Sequence, residues 1–546
     1  MKAPLFVSLV VCVAFASLAV APVAAQSKIH FGAAAAYGSG GGFADSVAVA
    51  DLRGNGKLDL IVANSCQSVD QAGYCNGYPA GEVAVLLGNG DGTFQQAVTY
   101  STGAYYTQSV AVGDVNGDGI PDLVVANWCE TLNGGGGCAG QVGAVSVLLG
   151  NGDGTFQPAM VYGAGGYYSY SVLVGNLGSN GRLALVVTNS VSPGGSSYGS
   201  AGVLFGNGDG TFQPAVSYDT GGDIAASVAI GDVNGDGIPD LAVANFCSIG
   251  GGCQAPGEVG VLLGNSDGTF QPAVVYSSGG WGAYSIALAD LRGDGILDVV
   301  VANQADNAQG SRLRAGMDVL LGNGDGTFQP AVSYLAVGLG PGATYPTGGV
   351  NTIAAMDVNG DGIPDLVVVE ECRSLRDYQY CLGAGQINVF LGNGDGTFQK
   401  PIVYSSGGYY GSGLAIADVN GDGRRDLVVT NAFASEYDYY NGSVAVLLNE
   451  TSYTTKTALT SSLNPSQVNQ AVTFTATISS TPPVPNGEVV TFYSGSAKIG
   501  TGTTANGVAS LTTSFSKAGT YTIKASYPGD PFRKKSSGTV KQMVNQ

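Results

Sequence analysis

Oxygen-bearing side chains recur in this chain at a spacing suited to a metal ion. The stretch DVNGDGIPD places them at its first, third, fifth and ninth positions, offers a backbone carbonyl at the seventh and turns on glycine. A hard divalent cation, calcium above all, prefers such an oxygen cage. Four copies carry the full set: Asp114, Asn116, Asp118 and Asp122; Asp232, Asn234, Asp236 and Asp240; Asp357, Asn359, Asp361 and Asp365; Asp418, Asn420, Asp422 and Asp426. Two copies are weaker, with Asp51, Asn55 and Asp59 beside Arg53, and Asp290, Asp294 and Asp298 beside Arg292. A guanidinium next to the ion would oppose it. The copy from Asn176 lacks the carboxylates and is expected to be empty. Asp and Asn also make turns unaided, but turn chemistry alone does not require four oxygen positions in each of four copies. The expected role of calcium is structural, because a fully caged ion has no open position for a substrate.

Arg292-Gly293-Asp294 also spells an adhesion tripeptide, but its Asp is a loop position, so the match is read as coincidence. Eight cysteines form four close pairs: Cys66 and Cys75, Cys129 and Cys138, Cys247 and Cys253, Cys372 and Cys381. Zinc would need tetrahedral sets of thiolate or imidazole, and the chain has one histidine, His30. Local disulfides are the better reading for an exported protein. The same histidine count leaves no conventional Ser/His/Asp or Cys/His catalytic set, so a binding role is favoured over an enzymatic one. Glu370 and Glu371 are adjacent acids, expected to be solvated in a loop. Aromatic residues cluster near the cysteine loops: Tyr105, Tyr106, Tyr167, Tyr168, Trp281, Tyr284, Tyr409 and Tyr410. Exposed rings of this kind stack on sugars or anchor protein partners, whereas buried ones would only wedge neighbouring units together.

A repeat positions these groups. The acidic loop opens at residues 51, 114, 176, 232, 290, 357 and 418, so one unit of about 60 residues recurs seven times. Each unit supplies four short β-branched runs bounded by Gly, Asn and Asp, which read as antiparallel strands. Units of this size arranged radially make a β-propeller, here with seven blades. A second motif, GNGDGTF, starts at Gly88, Gly150, Gly206, Gly322 and Gly392, with a serine variant at Gly264. It reads as a hairpin turn whose Phe packs between blades. The last unit lacks this motif, so the strand near His30 to Ala36 is expected to complete it. The alternation of connections would put the acidic loops on one face of the ring and the cysteine loops on the other.

These motifs resemble the FG-GAP and VCBS repeats of integrin α-like propellers over residues 28–450. The resemblance implies a seven-bladed ring with calcium in some of its loops. From residue 455 to 546 the composition turns to Thr/Ser-rich alternation, a half-buried strand pattern. AVTFTATI and PNGEVVTFYSG there resemble bacterial immunoglobulin-like modules, implying a β-sandwich. Residues 1–25 read as an export signal with small residues at the cleavage site. The net charge of −19 argues against nucleic acid, and no later run is apolar enough for a membrane span. The expectation is therefore a secreted or cell-surface bacterial protein, monomeric, that recognises an extracellular protein or glycan through its aromatic, disulfide-clipped face. Lectin activity and, more remotely, polysaccharide cleavage are the competing readings.

Overall fold

The computed structural model describes residues 29–546 except 68–74, 76–79, 133–137, 141, 179–180, 194–197, 249–255, 306–315, 336–348, 372–373, 377–379, 383 and 436–440. Residues 1–25, read above as an export signal, lie outside the described residues, as do Cys253 and Cys372. Every regular element among the described residues is a strand, as the composition predicts, and no helix is long and apolar enough to cross a membrane. The chain divides into two compact units, one built on residues 29–452 with 529–534, the other on 453–528 with 535–546.

In the larger unit each repeat gives an antiparallel four-stranded meander. The first shows the pattern: Gly42–Ala50 pairs with Asp59–Cys66, which pairs with Ala80–Leu86, which pairs with the start of Val98–Gly113. That last strand then runs on as the innermost strand of the second repeat. Continuous strands of this kind, Val98–Gly113, Met160–Gly175 and Val216–Gly231, link the first four repeats. The second strand of each meander is an apolar run such as LIVAN, and Asp59–Cys66 is buried along its whole length. Apolar side chains on both faces are what a sheet needs when its neighbours pack against both of its sides.

The ends of this unit meet. Ala35–Gly38 pairs antiparallel with Ser443–Leu447, so an N-terminal strand supplies the outer edge of the seventh repeat, as the missing GNGDGTF predicts. Gly42–Ala50 packs against Tyr409–Ala417 and Asp426–Phe433, joining the first repeat to the last. Edge-to-face Tyr/Phe pairs tie successive repeats together: Tyr100 meets Phe156, Tyr162 meets Phe212, Tyr218 meets Phe270, Tyr276 meets Phe328 and Tyr334 meets Phe398. Two more pairs, Tyr404 with Phe31 and Tyr37 with Phe94, continue the series across the chain ends. Such ring pairs add about 0.5–1.5 kcal/mol each beyond their burial. The Phe of the GNGDGTF turn is therefore a contact between repeats, as its position suggests.

The smaller unit packs a three-stranded sheet and a five-stranded sheet over a core that includes Phe474, Phe492, Ile523 and Tyr527. Its strand Val472–Ser479 alternates buried and less buried residues, the period of a sheet with one face in the core.

Candidate functional site

The two ends of each inner strand have different chemistry. In the first repeat Ala50 faces Asp59 at one end and Gly42 faces Cys66 at the other, so the acidic loops and the cysteine loops lie at opposite ends of the same strand pair.

At the acidic end the second repeat is typical. Asp114 accepts N–H groups from Gly117, Asp118 and Gly119, while Asn116 Nδ2 donates to Asp118 Oδ2 at 2.9 Å. Asp122 is buried and bridges two turns, accepting Val115 N at 3.0 Å and, from the following GNGDGTF turn, Gly150 N at 2.8 Å. The same bridge recurs at Asp240 and Asp365, and Asp426 accepts Val419 N and, where the seventh repeat has no such turn, Asn449 N. Desolvation raises the pKa of all four, and the neighbouring loop aspartates add to the rise. Asp365 is pushed up to about 8 and Asp426 to about 6. Among the described residues no three carboxylates already converge as ligands around one point, and the loop oxygens are held by turn hydrogen bonds instead. The donor set nevertheless fits a hard cation, since crowded carboxylates are relieved by a divalent positive charge, although in the loop from Asp418 the Arg424 guanidinium already pairs with Asp422.

The two Arg-bearing loops are built differently. Arg53 Nη2 donates to Asp59 Oδ1 at 2.5 Å and to Gly88 O at 2.8 Å. Arg292 repeats this with Asp298 at 2.9 Å and Gly322 O at 2.8 Å. The guanidinium thus does more than oppose an ion: it neutralises the buried ninth-position carboxylate itself. Because Arg292 is engaged in this way, and also pairs with Asp294 at 3.1 Å, the Arg-Gly-Asp tripeptide is folded into a loop. In the copy from Asn176, Asn176 Oδ1 caps Gly178 N in a simple turn.

At the other end two local disulfides close as their spacing predicts, Cys66 to Cys75 and Cys129 to Cys138, with Cα separations of 5.9 and 5.7 Å. Cys247 is also disulfide-bonded; its expected partner, Cys253, falls outside the described residues, and the pairing of Cys372 with Cys381 falls outside them in the same way.

The inner strands carry a feature invisible in the motifs. Each has a register shift near its start, between Ala44 and Ser46, Thr107 and Ser109, Ser169 and Val172, Ala225 and Ser227, Ala283 and Ser285, Val350 and Thr352, and Gly411 and Leu414. A bulge leaves one residue unpaired and re-aims its side chain. The residues at these shifts, Asp45, Gln108, Tyr170, Ala226, Tyr284, Asn351 and Ser412, all line one cavity of about 470 Å³ on the ring axis. Two positions earlier the backbone is left-handed at Phe43, Tyr106, Tyr168, Ile224 and Tyr410, with φ between 54° and 57°. Bulky residues avoid this region, and such strain collects at functional sites.

Along the cavity wall Ser46 Oγ accepts Val110 N, Ser109 Oγ accepts Val172 N and Ser285 Oγ accepts Ile353 N, joining neighbouring inner strands. Asp45 is fixed by Ser65 Oγ–H at 2.5 Å, and Gln108 Nε2 donates to the same Ser65 oxygen at 3.2 Å. Asp45 keeps part of its surface on the cavity, yet desolvation pushes its carboxyl up to about 7. Burial likewise raises the pKa of the Tyr284 and Tyr170 phenols.

The aromatic residues singled out in the sequence all lie half-buried at this end. Tyr284 lines the axial cavity, whereas Tyr106 and Tyr168 pack against Trp128, with ring centroids 5.8 and 5.3 Å away, and Tyr410 packs against Phe433 at 5.5 Å. Those three are therefore partly wedges. No residue pattern in the sequence marks out Asp45, Gln108 or Trp128. What the copies share, once the bulge is known, is a Ser or Thr followed by an apolar residue just after the axial position in six of seven repeats.

Comparison with known proteins agrees with this architecture. The FG-GAP-like repeat matches residues 74–125, 188–243, 249–301, 305–368 and 376–429, just over half of the chain, and the bacterial Ig-like domain (group 3) matches 459–545. The chain belongs to the FG-GAP-like repeat proteins and ends in a bacterial Ig-like domain. Integrin alpha-PS5 of Drosophila melanogaster is 40% identical over 101 residues, 18% of this chain and 9% of that protein. Phosphatidylinositol-glycan-specific phospholipase D of Bos taurus is 29% identical over 196 residues, 34% of this chain and 22% of that protein. The chain thus spans less than a quarter of the length of either relative. Among solved structures, the V. cholerae biofilm matrix protein Bap1 is 14% identical, with coverage of 78% of this chain and 92% of that one, at a TM-score of 0.40.

Proposed function

We propose that this FG-GAP-like repeat protein is a secreted or surface-exposed bacterial recognition protein with an adhesive role, whose disulfide-bearing face meets the ligand while calcium braces the opposite face. The observation that carries the first part is the left-handed aromatic rim around the axial cavity. Five bulky residues held at φ near 55° in register are costly to maintain, and among the described residues of the larger unit that cost falls at this one end. Disulfides at Cys66 and Cys129 clip loops at that same end, as suits an oxidising, extracellular setting. The ligand is an extracellular protein or a glycan, met by the monomer; binding of the purified protein to matrix-protein and glycan arrays tests this. Binding should fall at least tenfold, about 1.4 kcal/mol, in a Tyr106→Ala/Tyr410→Ala double variant. Equal binding by wild type and variant would refute the rim as the contact surface.

The calcium part rests on the internal contrast between loops. Asp122, Asp240, Asp365 and Asp426 are buried carboxylates with carboxylate neighbours, whereas Asp59 and Asp298 have a guanidinium. Calcium in the first group does the work of Arg in the second. Replacing Arg53 by Asn, the residue at that position in the complete loops, should destabilise the protein in EDTA by roughly 3 kcal/mol, the scale for a buried charge left alone. Added calcium should recover much of that loss in Arg53→Asn but add nothing at this loop in Arg53→Met. Identical calcium responses in thermal melts of the two variants would remove the argument.

A further inference from the structure

We propose that the axial cavity and an aromatic cup beside it form one binding site for a neutral or amino-bearing sugar terminus, with Asp45 and Gln108 as the shared hydrogen-bonding edge. This inference rests on the reading of the disulfide-bearing face as the recognition face and names the ligand class for it. The second cavity, about 380 Å³, is lined by Phe43, Tyr106 and Trp128 together with Ser65 and Cys75. Asp45 and Gln108 line both cavities, so the two are adjacent chambers with a common wall. Both volumes lie within the roughly 300–1,000 Å³ of small-molecule sites.

The chemistry of the walls selects the ligand. One chamber offers ring edges and faces, which take the apolar face of a pyranose. The other offers a carboxyl, two phenols, two carboxamides and hydroxyls converging on the axis, which suits a compound bearing many hydroxyls. Among the described residues no Lys, Arg or His lines either chamber, so an anionic ligand would meet no cationic partner there. Uronic and sialic acids, phosphates and acidic peptides are disfavoured for that reason, and a protonated amine placed near Asp45 is favoured. The shared edge is held in advance, since the relay from Gln108 through Ser65 to Asp45 fixes both side chains without closing the cavity. The Cys66–Cys75 disulfide holds Cys75 in the cup wall.

The chain has two tryptophans, Trp128 and Trp281, so a Trp281→Phe protein reports on Trp128 alone. This full-length variant is titrated by fluorescence with glucose, galactose, N-acetylglucosamine, glucosamine and glucuronic acid. The expected result is a saturable change with at least one neutral or amino sugar, and affinity for glucuronic acid lower by about tenfold or more. Asp45→Asn in this background should weaken glucosamine more than glucose, and Gln108→Ala should weaken both, with thermal melts confirming that each variant is folded. Absence of a response to every sugar, or an equal response to glucuronic acid, overturns the proposal. Sugar binding that survives Asp45→Asn and Gln108→Ala but is lost in Tyr410→Ala also overturns it, while leaving the recognition role of the face intact.

Discussion

At the scale of single residues, the acidic loops were legible because a metal-type spacing is written directly in residue identity. Glu370 was not. Next to Glu371 in sequence it reads as one of two solvated acids, but it is the last residue of the strand Asp365–Glu370 and is fully buried. Its counterparts in other repeats are the buried asparagines Asn64, Asn127, Asn189, Asn245, Asn303 and Asn431, so the copy with a charge hides among copies with an amide. Asn388 Nδ2 donates to Glu370 Oε1 at 2.7 Å, whereas Glu370 Oε2 and Asn388 Oδ1 have no hydrogen-bond partner among the described residues. Desolvation pushes this carboxyl up to about 8. A raised folded-state pKa means that the native state binds more protons than the unfolded chain between the two pKa values. The stability contribution is therefore complete below the ordinary carboxyl pKa and is lost as pH rises toward 8. Glu370→Gln keeps the accepted hydrogen bond, supplies a permanent donor and carries no charge. It should melt higher than wild type at pH 8, by an amount on the order of 1–3 kcal/mol, with the gap shrinking toward pH 5. A gap independent of pH, measured by calorimetry across that range, would show that Glu370 does not titrate in the folded protein.

At the scale of elements, strand number, turn chemistry and the Tyr/Phe contacts follow from period and turn residues, and these were readable. The bulges were not, because a bulge has no residue signature of its own: the re-aimed positions hold Asp, Gln, Tyr, Ala, Tyr, Asn and Ser. The left-handed residues actively mislead. Local propensity asks for glycine at positive φ, and only Gly282 obeys among the in-register positions with that φ; the others are Phe, Tyr or Ile. Here tertiary structure overrides propensity, and the override locates the rim. Ile224, β-branched at φ 57°, offers the sharpest test. In an ordinary strand Gly is less stable than Ala by roughly 0.5–1 kcal/mol. At residue 224 the order should invert, with Ile224→Gly more stable than Ile224→Ala by about 1 kcal/mol in chemical denaturation. The normal order would mean that the left-handed backbone relaxes at little cost and stores no strain at the rim.

At the scale of the whole molecule, the count of acidic loops predicts how many repeats there are, and the absence of a seventh GNGDGTF turn predicts where the ring is completed. Phe31 takes the place of the missing turn Phe, packing on Tyr404 at 5.3 Å, and Gly32 N donates to Leu448 O at 2.8 Å. The pairing of Ala35–Gly38 with Ser443–Leu447 covers an edge that would otherwise be open to another strand. In a chain of repeats each unit touches only its neighbours, so a seam at the ends is the one place where losing a short segment exposes two units at once. Phe31→Ala removes a buried aromatic and should cost about 3–5 kcal/mol. Removing residues 1–38 should cost more, because the outer strand goes with it and the Tyr37 contact to Phe94 is lost as well. The truncated protein should unfold at lower denaturant over a broader range, since the first and last repeats can then fray independently. A peptide of residues 27–38 added in excess should restore the midpoint by mass action. If the truncated protein kept the wild-type midpoint and slope, the ring would be closed by the packing of inner strands alone, and the strand exchange between the chain ends would be dispensable.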